Sequence, residues 1–139
     1  MSERDELVVY TDGGARGNPG PAAIGAVVLD PSSEPPEVVA TVSECIGVAT
    51  NNVAEYRAVI EGLKAARAVG ARRVVLRADS QLVIRQLEGR YRVKQPHLRP
   101  LFDEARALLE EFPEVELTHV RREDNTDADA LVNAALDAG

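Results

Sequence analysis

The spacing of apolar residues changes along the chain, and each change marks an element. Leu7–Tyr10 is a short apolar run suited to a buried strand. Gly13, Gly14, Gly17, Asn18, Pro19 and Gly20 predict a turn-rich connection to a second run, Ala22–Leu29. Pro31–Pro36 predicts another turn, and Val38–Ile46 a third strand. Three strands joined by two short connections predict an antiparallel meander. Tyr56, Val59, Ile60, Leu63 and Ala66 then fall at helical spacing, with Gly70 as the stop. Val74–Leu76 reads as a buried strand, and Leu82, Val83 and Leu87 as a short helix halted by Gly89. Leu101, Ala105, Leu108 and Leu109 stripe a helix from about Leu98 to Glu111, closed by Pro113. Val115, Leu117 and His119 alternate with polar residues as a half-buried strand would. A last helix, Thr126–Asp137, turns Leu131, Ala134, Ala135 and Ala138 inward.

The order β-β-β-α-β-α-α-β-α predicts an α/β fold. Its sheet is five-stranded and mixed, an antiparallel meander followed by parallel crossovers, with helices on both faces. With 139 residues and no repeat, linker or low-complexity segment, residues 1–139 are expected to form a single domain. Ala22–Leu29 is the longest apolar stretch, interrupted by Gly25 and too short to cross a bilayer as a helix, so no membrane partner is expected. The opening residues are too charged for a signal peptide. One cysteine, Cys45, excludes an internal disulfide and a cysteine-built zinc site, and a reducing cytoplasm is expected. No segment points to an obligate protein partner.

The formal net charge of −7 argues by itself against a nucleic-acid partner. Its distribution alters that. Between Arg57 and Arg106 stand twelve Lys/Arg against five acids, a net of +7, which leaves −14 for the remainder. Such polarity allows a basic face beside an acidic site, or a plain solvated surface.

Four acids stand at the joints between elements: Asp12, Glu55, Asp79 and Asp129. Each has a local alternative. Asp12 fits a turn before Gly13, and Asp79 fits a cap for the helix that Ser80 begins. Glu55 follows Asn52, and Asp129 follows Thr126, at the spacing of a capping box. Together they say more. Asp12 and Asp79 follow apolar strands, where open α/β sheets place their sites. Glu55 and Asp129 fall in first turns of helices that could start near the same edge. Converging carboxylates repel unless cations intervene, and hard divalent cations take oxygen ligands. Two such ions about 4 Å apart suit in-line phosphoryl transfer without a protein nucleophile.

Four motifs carry a resemblance: YTDGGARGNPG at Tyr10–Gly20, TNNVAEY at Thr50–Tyr56, RADSQLVI at Arg77–Ile84 and REDNTDADALVNAALD at Arg122–Asp137. In this order they resemble the type 1 ribonuclease H family, in its compact bacterial and archaeal branch without a basic handle. The resemblance implies endonucleolytic cleavage of the RNA strand of RNA–DNA hybrids, leaving 5′-phosphate and 3′-hydroxyl ends. It implies two Mg²⁺ ions with substrate bound, Mn²⁺ as a substitute, and Asp12, Glu55, Asp79 and Asp129 as their ligands. Asp129 is chosen over Asp127 because Ala128-Asp129-Ala130-Leu131 matches the family's Ala-Asp-x-Leu pattern. Gly13, Asn18, Asn51, Asn52 and Gln81 are implied substrate contacts, the amides suited to 2′-hydroxyls and base edges. Thr50 matches a residue that holds a phosphate of the DNA strand.

The chain departs from its relatives in several places. Val48 stands where an Arg often grips that DNA phosphate, and Gln95 where an Asn often completes the pocket, so double-stranded RNA is an expected additional partner. Better-studied relatives have a longer loop before the last helix, carrying a His. Here Arg121, Arg122, Glu123 and Asp124 occupy that place, His119 reads as structural, and His97 reads as a helix cap. Arg90, Arg92 and Lys94 are left to supply the grip on the hybrid. The same fold with a dead, binding-only site is the competing expectation, and some relatives are the first domain of a longer chain.

Overall fold

The structure is a computed structural model that describes residues 4–139. Among them five strands, β1 (Arg4–Ala15), β2 (Gly20–Asp30), β3 (Glu37–Ala49), β4 (Ala71–Ala78) and β5 (Glu114–His119), form one sheet in the order β3-β2-β1-β4-β5. The first three are antiparallel, whereas β4 runs parallel to β1 and β5 parallel to β4. The helices are α1 (Asn51–Val69), α2 (Gln81–Leu87), α3 (Arg99–Leu109) and α4 (Thr126–Ala138). The expected mixed sheet, its meander and its parallel crossovers are all present.

Helices cover both faces because β2 is apolar on both. Ile24, Ala26 and Val28 alternate with Ala23, Gly25 and Val27, and all are buried. On one side Leu7, Val9 and Leu76 of the sheet meet Tyr56, Ile60 and Leu63 of α1, with α3 packed behind. On the other, α4 rests on a smaller patch, Ala23 against Val132 and Ala135. There the backbones nearly touch: a Cβ on Gly25 would lie 2.4 Å from the Ala128 carbonyl oxygen. Any side chain at Gly25 would lift α4 off the sheet.

Several local expectations change. On α4, Ala128, Val132 and Ala135 face inward, whereas Ala134 and Ala138 are exposed. Gly13 and Gly14 belong to β1, paired with Ile24 and Ala23, and not to the connection, which shrinks to Arg16–Pro19. Gly13 serves close approach: a Cβ there would sit 2.2 Å from the Ala54 carbonyl oxygen. The helix expected from about Leu98 starts at Arg99, after a 3₁₀ turn over Pro96–Leu98. His97 lies within that turn, whose cap position is Gln95, and no side chain caps it.

The basic stretch is largely neutralised in the fold. Arg67 pairs with Glu111, Arg72 with Glu114, Arg73 with Glu6 and Glu116, and Arg99 with Asp103. Arg92 and Lys94 have no ion pair among the described residues. The stretch is thus no continuous basic face, because much of its positive charge is paired with acids from its own helices and from other elements. No helix among the described residues is long and apolar enough to cross a membrane.

Candidate active site

Strand register brings the first two acids together. Thr11 pairs with Ala78, so the next residues, Asp12 within β1 and Asp79 just past the end of β4, stand side by side. Ala54 and Glu55 of α1 then lie over the Gly13 backbone, Glu55 just past its expected place in the first turn. Glu55 Oε1 accepts the Gly13 N–H at 3.0 Å. Carboxylate oxygens of Asp12, Glu55 and Asp79 all lie within 4.8 Å of one another. Asp129, in the first turn of α4, lines the same cleft as Asp12, whose titration its carboxylate raises. It also accepts from Asn133 Nδ2 at 3.3 Å.

None of the four acids does the local work open to it in the sequence. Thr50 Oγ1 caps α1 by accepting the Val53 N–H, and Ser80 Oγ caps α2 by accepting the Val83 N–H. The cap position of α4 is Asn125, so Thr126 and Asp129 form no capping box. Asp12 lies within β1 and not in a turn.

Burial and mutual repulsion shape the titration of this centre. Asp12, 7% exposed, is pushed up to about 7, first by desolvation, then by the charge of Asp79 and by Asp129. Desolvation, then Asp12 and Asp79, hold Glu55 well above the carboxylate range, while the Gly13 N–H and Arg122 pull it down. The carboxylates therefore hold more negative charge than the chain balances. Their all-oxygen donor set fits a hard divalent cation and suits neither a soft nor a thiolate-preferring metal. Asp12, Glu55 and Asp129 open on a cleft of about 460 Å³ that Gly13, Asn51 and Arg122 also line.

The other singled-out residues divide into two groups. Asn18 and Asn51 sit at the rim and latch it: Asn51 N–H donates to Asn18 Oδ1 at 3.0 Å, and Asn51 Oδ1 accepts from Ala15 N–H at 2.9 Å. Thr50 and Asn52 flank Asn51 at the start of α1, and Gln81, exposed, opens α2 two residues after Asp79. Val48 is 76% exposed on the edge strand β3. Arg90, Arg92, Lys94 and Gln95 stand apart from the carboxylates. With Tyr91 and Leu82 they line a separate groove of about 440 Å³. Its floor includes Gln86, which accepts from the buried Tyr56 hydroxyl at 2.5 Å and donates to the Arg92 carbonyl at 3.4 Å.

Arg122 is the residue whose place the sequence did not disclose. It was visible only as an occupant of the short segment before the last helix, yet it lines the cleft and its charge lowers Glu55. A cation between the last strand and the helix bearing Asp129 was the available signal. His119 ends β5 in register with Ala78.

A mixed sheet with acids gathered where β1 and β4 run side by side, flanked by helices on both faces, has the ribonuclease H-like fold. Residues 10–135 match the family described as reverse transcriptase-like. The N-terminal ribonuclease H domain of a Mycobacterium tuberculosis protein superposes with a TM-score of 0.90 at 45% identity, covering 95% of this chain and 99% of that one. Ribonuclease H1 of Halobacterium salinarum gives 0.90 at 46%, covering 96% and 99%. LC11 ribonuclease H1, solved in complex with an RNA/DNA hybrid, gives 0.86 at 42%, covering 95% and 97%. The chain belongs to the type 1 ribonuclease H family. It spans only 36% of the length of the curated mycobacterial relatives it matches, and 63% of ribonuclease HI of Halobacterium salinarum.

Proposed function

We propose that this chain is an endonuclease that hydrolyses the RNA strand of RNA–DNA hybrids, leaving 5′-phosphate and 3′-hydroxyl ends. The observation that carries this reading is the meeting of Asp12, Glu55 and Asp79 oxygens within 4.8 Å, with Asp129 against Asp12. These four acids would hold the cations, Mg²⁺ with Mn²⁺ as a substitute, two of them once substrate phosphate is present. Bound there, the cations would supply the Lewis acidity for in-line displacement at phosphorus. The chain's own groups do the positioning. The Gly13 N–H fixes the Glu55 carboxylate, Asn133 steadies Asp129, and Arg122 offsets part of the negative charge across the cleft.

Asn18, Asn51, Asn52 and Gln81 edge the same end of the sheet, where their amides would reach 2′-hydroxyls and base edges without reading sequence. Thr50 would hold a phosphate of the DNA strand. Arg92 and Lys94, free of ion pairs among the described residues, would hold backbone phosphates along the groove they share with Arg90 and Gln95. The likeness to a ribonuclease H1 seen with an RNA/DNA hybrid supports this substrate. Val48 and Gln95 offer no cation to a second-strand phosphate, which extends the reading to double-stranded RNA. We read residues 1–139 as one ribonuclease H domain, as in the longer mycobacterial relatives, and its single cysteine suits the reducing cytoplasm.

The test is cleavage of matched RNA–DNA, RNA–RNA and DNA–DNA duplexes with Mg²⁺ or Mn²⁺. The hybrid should be cut with either cation, RNA–RNA more slowly, and DNA–DNA not at all. A hybrid that is bound but left intact under both cations would make the protein a binding module and overturn the reading.

A further inference from the structure

Asn125 is 1% exposed although residues 121–124 and 126–127 around it are exposed. Its side-chain Nδ2 donates to the Thr11 carbonyl oxygen at 2.9 Å, joining positions 114 residues apart. Its backbone N–H donates to the Arg122 carbonyl at 3.0 Å, and its own carbonyl accepts the Asp129 N–H at 3.2 Å. One residue thus ties together the strand position before Asp12, the turn bearing Arg122 and the first helical bond of Asp129.

Two further observations set this apart from ordinary packing. Asn125 Oδ1 and Thr11 Oγ1 are both buried without a hydrogen-bond partner among the described residues. A buried amide that leaves its oxygen unpaired costs stability that an apolar side chain of similar volume would not. The fold carries that cost here, beside the carboxylates. Moreover, α4 meets the sheet through Ala23, Val132, Ala135 and the bare backbone of Gly25. Its directional bonds to the edge strand β3, from Ser43 Oγ to the Leu131 carbonyl at 2.7 Å and from Cys45 Sγ to the Ala135 carbonyl at 3.0 Å, lie beyond its first turn. The Asn125 bond ties the start of the helix, beside Asp129, directionally to β1, the strand that carries Asp12.

The structure assigns Asn125 as the positioning residue that sets Asp129 and Arg122 against Asp12. The assignment deepens the ribonuclease reading and rests on it. Losing the Asn125–Thr11 bond frees the first turn of α4 from β1, which moves one carboxylate of the cluster relative to the others. Outer groups that orient metal ligands typically contribute about 10- to 100-fold in metal affinity or activity.

The experiment compares Asn125→Leu with the unsubstituted chain, each with Asp129 intact and with Asp129→Asn. Mn²⁺ binding is measured by titration calorimetry without nucleic acid, and kcat and KM on a hybrid. With Asp129 intact, Asn125→Leu should melt cooperatively, keep KM within about twofold, and lose about 10- to 100-fold in both kcat and Mn²⁺ affinity. In the Asp129→Asn background the same substitution should change Mn²⁺ affinity by less than about twofold, because its effect passes through Asp129. Equal losses in both backgrounds, or undiminished Mn²⁺ affinity and kcat in the folded variant, would overturn the assignment. If Asn125→Leu does not melt cooperatively, Asn125→Ser carries the same comparison. An unsubstituted chain that leaves hybrids intact counts against the ribonuclease reading alone, and the Mn²⁺ affinities still decide Asn125.

Discussion

The carboxylate centre and the basic groove are built in opposite ways. Asp12, Glu55, Asp79 and Asp129 come from four elements and meet only through strand register and helix docking. Arg90, Arg92 and Lys94 come from one exposed connection and need no convergence. The centre is desolvated enough to push Asp12 up to about 7, whereas the basic side chains stay in water. Bond breaking asks for fixed, dehydrated charge, while holding a phosphate backbone asks only for charge displayed along a path. The two regions should therefore fail differently when altered.

The largest difference is expected in turnover. Asp12→Asn or Asp79→Asn should lower kcat by about a thousandfold, the scale of losing a fixed electrostatic stabiliser, while hybrid binding persists. Because each substitution relieves carboxylate repulsion, the metal-free melting temperature should hold or rise. Steady-state kinetics and calorimetry check both, and near-normal turnover by either variant would remove these acids from the chemistry.

A paired glycine comparison tests tightness of packing. Gly13→Ala drives a Cβ into the backbone of α1 and should destabilise by about 3 kcal/mol, at the upper end of overpacking. Gly89, at φ 82° with open space around its missing Cβ, precedes the basic residues. There Ala meets only backbone strain, about 1 kcal/mol. Equal losses in urea unfolding would mean that the centre is no more tightly built than the loop.

pH separates the regions again. Asp12 keeps its proton to about pH 7 in the fold but only to its ordinary 3.8 when unfolded. Between these values the folded state binds more protons, so metal-free stability should fall as pH rises. The slope is at most about 1.4 kcal/mol per pH unit from this group. Melting curves from pH 4 to 8 should show that decline for the native protein and less of it for Asp12→Asn. A steeper decline in the variant would contradict the burial of Asp12.

The groove should give a binding effect alone. Replacing Arg90, Arg92 and Lys94 together by Ala should raise KM about tenfold and leave kcat close to normal. Each lost phosphate contact should also reduce the slope of log affinity against log salt by about one unit at most. An unchanged KM and slope would return the segment to plain surface. The smallest effect is expected at His119, whose position at the end of β5 is structural. His119→Ala should keep kcat well within the hundredfold that marks the lower end of general acid–base catalysis.

Much of the architecture was legible because burial writes itself into spacing. The two-faced apolar run at Ala22–Leu29, the helical period from Tyr56 to Ala66 and the stop at Gly70 each locate an element without knowledge of its neighbours. Glycine misled where it serves contact and not a turn. Gly13 and Gly14 looked like a connection because nothing local reveals that the Ala54 carbonyl will lie against Gly13. The twelve bases between Arg57 and Arg106 left a basic face and a solvated surface both open, because several partners, such as Glu111 for Arg67 and Glu6 for Arg73, are distant in the chain.

The amino-acid order by itself determined the strands, the helices, their succession and the four acids at the joints, since hydrophobic period and turn chemistry act over a few residues. Only the tertiary structure decided that those acids are not caps. Thr50, Ser80 and Asn125 take the cap positions, and the Thr11–Ala78 register sets Asp12 beside Asp79. It alone turned Arg122 toward Glu55 and buried Asn125 against Thr11. Charge and hydrogen bonding act through space, so a group's electrostatic role depends on neighbours that chain order does not make adjacent.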